Sequence, residues 1–272
     1  MTVSEKYIDI KKVFREKNPS LYRWIPGFVL NWIRRIVHEN DINHTMDQIG
    51  DLNGLEFVRA GLDQLNARVE VRGLENIPPT GGVILAANHP LGGLDGVAFM
   101  EAVGRVRPDI RFLVNDILLN VRNFEPLFVP VNKHGANPRK ATLIIEEVYA
   151  SDQAVLVFPA GLVSRKIKGK IQDLPWKKSF INKAVRYNKP IVPVHIGGRN
   201  SNFFYNLSRL RTRLGIKANI EMFFLVDEMY RQRDKTITLT FGKPIPSTTF
   251  DKTRTMDEWA EYLRQLVHQL PR

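Results

Sequence analysis

Cysteine is missing from the chain altogether. Disulfides, thiolate zinc sites, iron–sulfur clusters and a cysteine nucleophile are thereby excluded, and a reducing compartment fits. Nor is there a run of about 20 apolar residues, the length a membrane-spanning helix needs. The nearest stretch, residues 25–33, is interrupted by Pro26, Gly27 and Asn31. Residues 1–17 are polar and mixed in charge, without the apolar segment of a secretory signal. Metal-binding patterns are absent too. His38-Glu39 followed by His44 departs from H-E-x-x-H, because a gap of six puts the two rings on different helical faces. His134 and His195 stand alone and read as structural. No G-x-S-x-G serine elbow occurs.

The chain does have the means to fold. Its 272 residues are 43% hydrophobic and 25% charged, enough for a sizeable core in one large domain or two small ones. Charge is unevenly placed. Residues 161–213 hold thirteen Lys and Arg against one acid, Asp173, so this segment accounts for the whole formal net charge of +12. Such a block suits phosphate, anionic lipid, nucleic acid or an acidic protein, and its plainer reading is a solvated surface.

Periodicity divides the chain in two. Residues 1–66 read as helical. Within 20–39, Leu21, Trp24, Ile25, Phe28, Trp32, Ile33 and Ile36 recur at steps of three and four, flanked by Arg23, Arg34 and Arg35. That face suits either a membrane interface or the protein's own core. From residue 67 strands alternate with helices, the pattern of an α/β domain over 67–272. Strands are expected at 67–72, 83–87, 110–114, 127–131, 154–158, 191–196, 220–226 and 236–241. Helices are expected at 96–106, 138–150, 177–187, 203–214 and 255–269.

The strongest local signal is Asn88-His89-Pro90-Leu91-Gly92-Gly93-Leu94-Asp95-Gly96, lying between an apolar strand and a helix. Ligands of open α/β sheets sit beyond the carboxyl ends of strands. Three glycines and a proline permit a tight path that returns the Asp95 carboxylate to the His89 ring. The use of such a pair is general-base catalysis, one ring nitrogen taking a proton while the carboxylate holds the other N–H. The plainer reading is a polar loop capping its own backbone. With no serine elbow, the nucleophile would be a hydroxyl or amine of the substrate. Phe158-Pro159-Ala160-Gly161, with Ser164 and Arg165 after it, and Ile191-Val192-Pro193-Val194, with Gly197-Gly198-Arg199-Asn200-Ser201 beyond, also end strands in loops.

Taken in order, these blocks resemble the glycerolipid acyltransferases, the lysophosphatidic-acid-acyltransferase-like superfamily, over roughly residues 71–246. Asn88-His89-Pro90 is similar to the family's first block, Phe158-Pro159-Ala160-Gly161 to its F-P-E-G block and Ile191-Val192-Pro193-Val194 to its V-P-V block. The departures are specific. Asp95 is one residue beyond the usual H-x4-D, Ala160 replaces glutamate, and Leu162-Val163-Ser164 stands for T-R-S. Val131-Asn132-Lys133 is the counterpart of the second block, with Lys133 its cation. These features, with Gly-Arg-Asn-Ser-Asn-Phe-Phe-Tyr from Gly198, resemble the hemolysin-like branch, whose assigned enzymes acylate N-(3-hydroxyacyl) amino acids to ornithine or glycine lipids.

The resemblance implies a central mixed sheet flanked by helices and a helical, membrane-associating N-terminal portion. It implies O-acyl transfer from acyl carrier protein or coenzyme A to a lyso-lipid hydroxyl at the cytoplasmic face of an anionic membrane. No metal or resident cofactor is implied. His89 is the expected base and Asp95 its orienting partner. Asn88, Lys133, Gly161, Ser164 and Arg165 are expected to bind substrate, and Arg199 an acidic head group. The alternatives are a 1-acylglycerol-3-phosphate acyltransferase, and a non-catalytic basic protein that binds membrane or nucleic acid. Zinc-finger spacing and RNP-type aromatic motifs, which would favour nucleic acid, are absent.

Overall fold

The computed structural model describes residues 6–17, 19–115, 121–131 and 138–271. Five helices come first: α1 (Ile10–Lys17), α2 (Pro19–Trp24), α3 (Gly27–Ile36), α4 (Glu39–Ile49) and α5 (Gly54–Gln64). The single helix expected over 20–39 is broken in two. Pro26 cannot donate a helical N–H and biases Ile25 away from helical backbone; its carbonyl instead caps α3 by accepting from Val29 at 2.9 Å. Leu30 and Ile33 form the buried side of α3. Trp24, Phe28 and Trp32, expected on the same apolar face, are 86%, 75% and 52% exposed.

Next come β1 (Arg68–Arg72), β2 (Val83–Ala87), α6 (Gly93–Gly104), β3 (Ile110–Val114), β4 (Phe128–Pro130), α7 (Pro138–Ala150) and β5 (Ala154–Val157). Then follow β6 (Arg165–Ile167), β7 (Lys170–Gln172), α8 (Ser179–Arg186), β8 (Ile191–Ile196) and α9 (Asn202–Arg213). α10 (Leu225–Tyr230), β9 (Thr236–Phe241) and α11 (Met256–Gln269) close the fold.

Seven strands form one mixed sheet in the order β1-β9-β8-β2-β5-β3-β4, parallel at every pairing except β8 with β9. Alternate residues of each central strand enter opposite layers, as the period of two in a strand requires. In β2, Val83, Leu85 and Ala87 join a core with α5 and α6, while Ile84 and Ala86 join one with α7, α8 and α11. Buried on both faces, β2, β5 and β8 read as unbroken apolar runs, which is why they are legible in the sequence. Because α5 supplies Val58 and Leu62 to the first core, the change of pattern at residue 67 is not a break between cores.

Two expectations differ. Residues 220–226 are helical, a 3-10 turn over Ile220–Phe224 leading into α10. A short, mostly apolar segment does not itself separate strand from helix. The helical path puts Glu221 inside, against Arg165 and Arg211, and turns Ile220 and Phe223 outward. The β6–β7 hairpin was not anticipated; its strands are three residues each, joined at Lys168-Gly169 with φ of 48° and 83°.

Candidate active site

Three neighbouring parallel strands, β8, β2 and β5, end together at the carboxyl edge of the sheet. Their loops are tied to one another. Asn88 extends the β2–β8 contact: its Nδ2 donates to the Ile196 carbonyl at 2.9 Å and its Oδ1 accepts from the Ile196 N–H at 2.6 Å. Each end of this amide thus has a backbone partner, and Asn88 fastens the loop to β8. Ser164, after β5, donates its backbone N–H to the His89 carbonyl at 2.7 Å. Leu91 lies under Gly198 of the β8–α9 loop, where a Cβ would stand 3.0 Å from it.

His89 and Asp95 meet as the motif suggested. Asp95 is the third residue of α6, and its Oδ2 accepts three N–H groups: His89 Nδ1 at 2.9 Å, Leu91 at 2.7 Å and Gly92 at 3.0 Å. Gly92 makes the path possible, with φ of 92° and the Leu225 side chain 3.1 Å from the place of a Cβ. Asp95 is fully buried, and burial pushes its carboxyl above the ordinary range against the pull of its three donors. Only donors face Oδ2, so the loop is built for the anion. Nδ1 then carries the proton, which leaves the Nε2 lone pair without a protein partner among the described residues. The ring stacks on Phe158, with centroids 4.0 Å apart and planes at 15°. It keeps one side open, at 15% exposure.

A second buried acid, Asp173, braces the loop from the other side. It accepts the His89 N–H at 3.2 Å, the Ser164 hydroxyl at 2.5 Å and the Trp176 indole N–H at 2.9 Å. In the sequence Asp173 stands out only as the lone acid among the thirteen bases of 161–213. The Ser164 hydroxyl oxygen also lies 3.1 Å from the His89 carbonyl, a second acceptor within reach of its one proton, so it belongs to this brace.

Arg165 is buried, and its guanidinium pairs with Glu221 at 2.9 Å and donates to the Val163 carbonyl at 2.6 Å. The structure thus uses Arg165 to hold the 3-10 turn. Gly161 is exposed in the turn after β5, with φ of 68°. Arg199 is exposed on the β8–α9 loop. Lys133 lies outside the described residues. Ala160, at the family's glutamate position, is buried against the α8 layer, and Val163 packs with Phe204 and Tyr205. Among the described residues no cluster of His, Cys, Asp and Glu is suited to hold a metal.

The His–Asp pair thus sits in the loop after β2, at the edge where ligands of such sheets bind. Residues 12–271 match the family described as acyltransferase. The chain belongs to that family and is an enzyme of acyl transfer. It is 47% identical over 264 residues to the lyso-glycine lipid O-acyltransferase of Bacteroides thetaiotaomicron, covering 97% of both chains. It is 44% identical to the enzyme of that name from Phocaeicola vulgatus, covering 97% of this chain and 95% of the relative. The crystal structure of the 1-acyl-sn-glycerophosphate (LPA) acyltransferase PlsC from Thermotoga maritima superposes with a TM-score of 0.51. That match spans 96% of this chain and 92% of the other, and at 18% identity it establishes a shared fold.

Proposed function

We propose that the protein transfers a fatty acyl chain from a thioester, on acyl carrier protein or coenzyme A, to the hydroxyl of an N-(3-hydroxyacyl) amino acid, with the glycine form as acceptor. The observation that carries the chemistry is the Nδ1–Oδ2 hydrogen bond of His89 and Asp95, with Nε2 left for a substrate hydroxyl. Support for the acceptor comes from the two relatives named as lyso-glycine lipid O-acyltransferases, which match along nearly the whole chain.

In this reading His89 Nε2 takes the hydroxyl proton as that oxygen attacks the thioester carbonyl. Asp95 stabilises the imidazolium. The tetrahedral intermediate collapses with loss of the carbon–sulfur bond, and the departing thiolate takes the proton back from Nε2. The oxygen ester and the free thiol are the products, and no bond to the enzyme forms. The acceptor is tested with purified protein, one acyl thioester and two acceptors. N-(3-hydroxyacyl)glycine is expected to show the higher kcat/KM. A higher value for lysophosphatidic acid would replace this reading by the glycerophosphate one.

The substrate is a lipid, and among the described residues no helix is long and apolar enough to cross a membrane. We propose contact with anionic lipid, at the cytoplasmic face, through one continuous surface. Trp32 meets Phe224 edge-on at 6.2 Å, and Phe224 meets Phe203 at 5.0 Å. The exposed side of α3 therefore runs into that of α9, where Leu210, and Leu214 just past the helix end, are also exposed. Charge lies beside it. Six of the thirteen basic residues in 161–213 pair with acids, and all of those acids lie beyond the segment's ends. Lys166, Lys168 and Lys170 of the β6–β7 hairpin, which packs on α9, have no carboxylate partner among the described residues. Each basic residue near an anionic bilayer contributes up to about 1 kcal/mol, a term that salt screens while apolar insertion persists. Binding to anionic vesicles should weaken in high salt without vanishing. Trp24→Asp with Trp32→Asp should remove the salt-resistant part and leave the protein folded, since both rings are exposed. Unchanged binding by the folded double variant would refute this surface.

A further inference from the structure

The acceptor proposed above carries a carboxylate about 7 Å from its reacting hydroxyl, the reach of two residues of extended chain. A cation must therefore lie close to His89 if the enzyme reads that charge. Arg165 does not qualify, because its guanidinium is held by Glu221. Lys178 does not, because its ammonium pairs with Asp257 at 2.8 Å. Arg199, expected above to meet an acidic head group, is exposed on the β8–α9 loop, and among the described residues no hydrogen bond fastens it to the Phe158 turn. Lys177 is different. Its backbone N–H donates to the Pro159 carbonyl at 3.1 Å, which fastens it to the turn directly after Phe158, the ring stacked on His89. Its Nζ lies 3.3 Å from where a Cβ on Gly161 would stand, so the ammonium rests over the open backbone of that turn. The residue is exposed and has no carboxylate partner among the described residues.

Resting on the acceptor reading, we infer that Lys177 binds the carboxylate of the N-acyl amino acid and so sets the preference for an acidic lyso-lipid. The ammonium is a mobile point charge on a flexible stem, which suits a carboxylate entering from solvent. The absence of a side chain at Gly161 keeps the approach open. Partly solvated ion pairs are modest, so the expected effect is on KM and is about fivefold.

The test compares N-(3-hydroxyacyl)glycine with its uncharged methyl ester, using the same thioester donor and the full-length protein. Wild type should show the lower KM for the acid. Lys177→Met should raise KM for the acid about fivefold, leave the ester unchanged and hold kcat. Lys177→Arg should restore the preference, and Lys177→Gln should repeat the loss if the Met variant misfolds. A neutral variant that keeps the preference overturns the inference while leaving the acceptor reading intact. Equal losses for acid and ester also overturn it, and assign Lys177 to support of the turn. A wild type that does not acylate the acid removes the acceptor reading and this inference together.

Discussion

Replacing His89 with alanine should lower acyl transfer by about 10²–10⁴-fold, the range a positioned general base supplies. The loss should fall on kcat. Nothing in the geometry gives the ring a binding role: Nδ1 is held by Asp95, one face lies on Phe158, and Nε2 is the atom left to act. The fold should survive. Asp95 keeps its bonds from the Leu91 and Gly92 N–H groups, and the loop stays braced through the His89 backbone by Asp173 and Ser164. Thermal unfolding and single-turnover transfer, measured on one preparation, separate the two effects. A folded variant with near-normal turnover would show that the proton is taken by another group.

What the sequence disclosed follows the same physics. Strands β2, β5 and β8 are buried on both faces, so their apolar runs stand out, and the loops that follow them were found by where they start. Asp95 was legible because the glycines around it dictate a turn. Residues that act through their backbone or through distant partners were not. Asn88 gives no sign of its tie to β8, because Ile196, which meets both ends of its amide, is 108 positions away. Arg165 looks like a site cation until Glu221 appears from a segment whose apolar run passes equally for a strand. The aromatic face of α2 and α3 had two readings, core or surface. Only the break at Pro26 and the packing of Leu30 and Ile33 turn Trp24 and Trp32 outward.

Asp95→Asn should dissociate activity from stability. Oδ2 takes all three donors, while Oδ1 is buried without a partner. An asparagine can therefore keep its oxygen in the Oδ2 place and continue to accept from His89, Leu91 and Gly92. Its Nδ2 then replaces the unpartnered oxygen. Geometry is preserved, and what disappears is the charge that stabilises the imidazolium. Transfer is expected to fall by about 10²–10⁴-fold. Stability should move differently. Burial holds the Asp95 carboxyl above its unfolded value, so ionising it costs the folded state. That cost is absent below the unfolded pKa, grows as pH rises through the carboxylate range and is complete above the folded pKa. The variant lacks it. Relative to wild type, Asp95→Asn should therefore gain stability between acid and neutral pH. Denaturant unfolding of both proteins across that range measures the difference directly. A gap that narrows or reverses as pH rises would mean that the three N–H donors outweigh burial, and that Asp95 sits in the loop as a net stabilising anion.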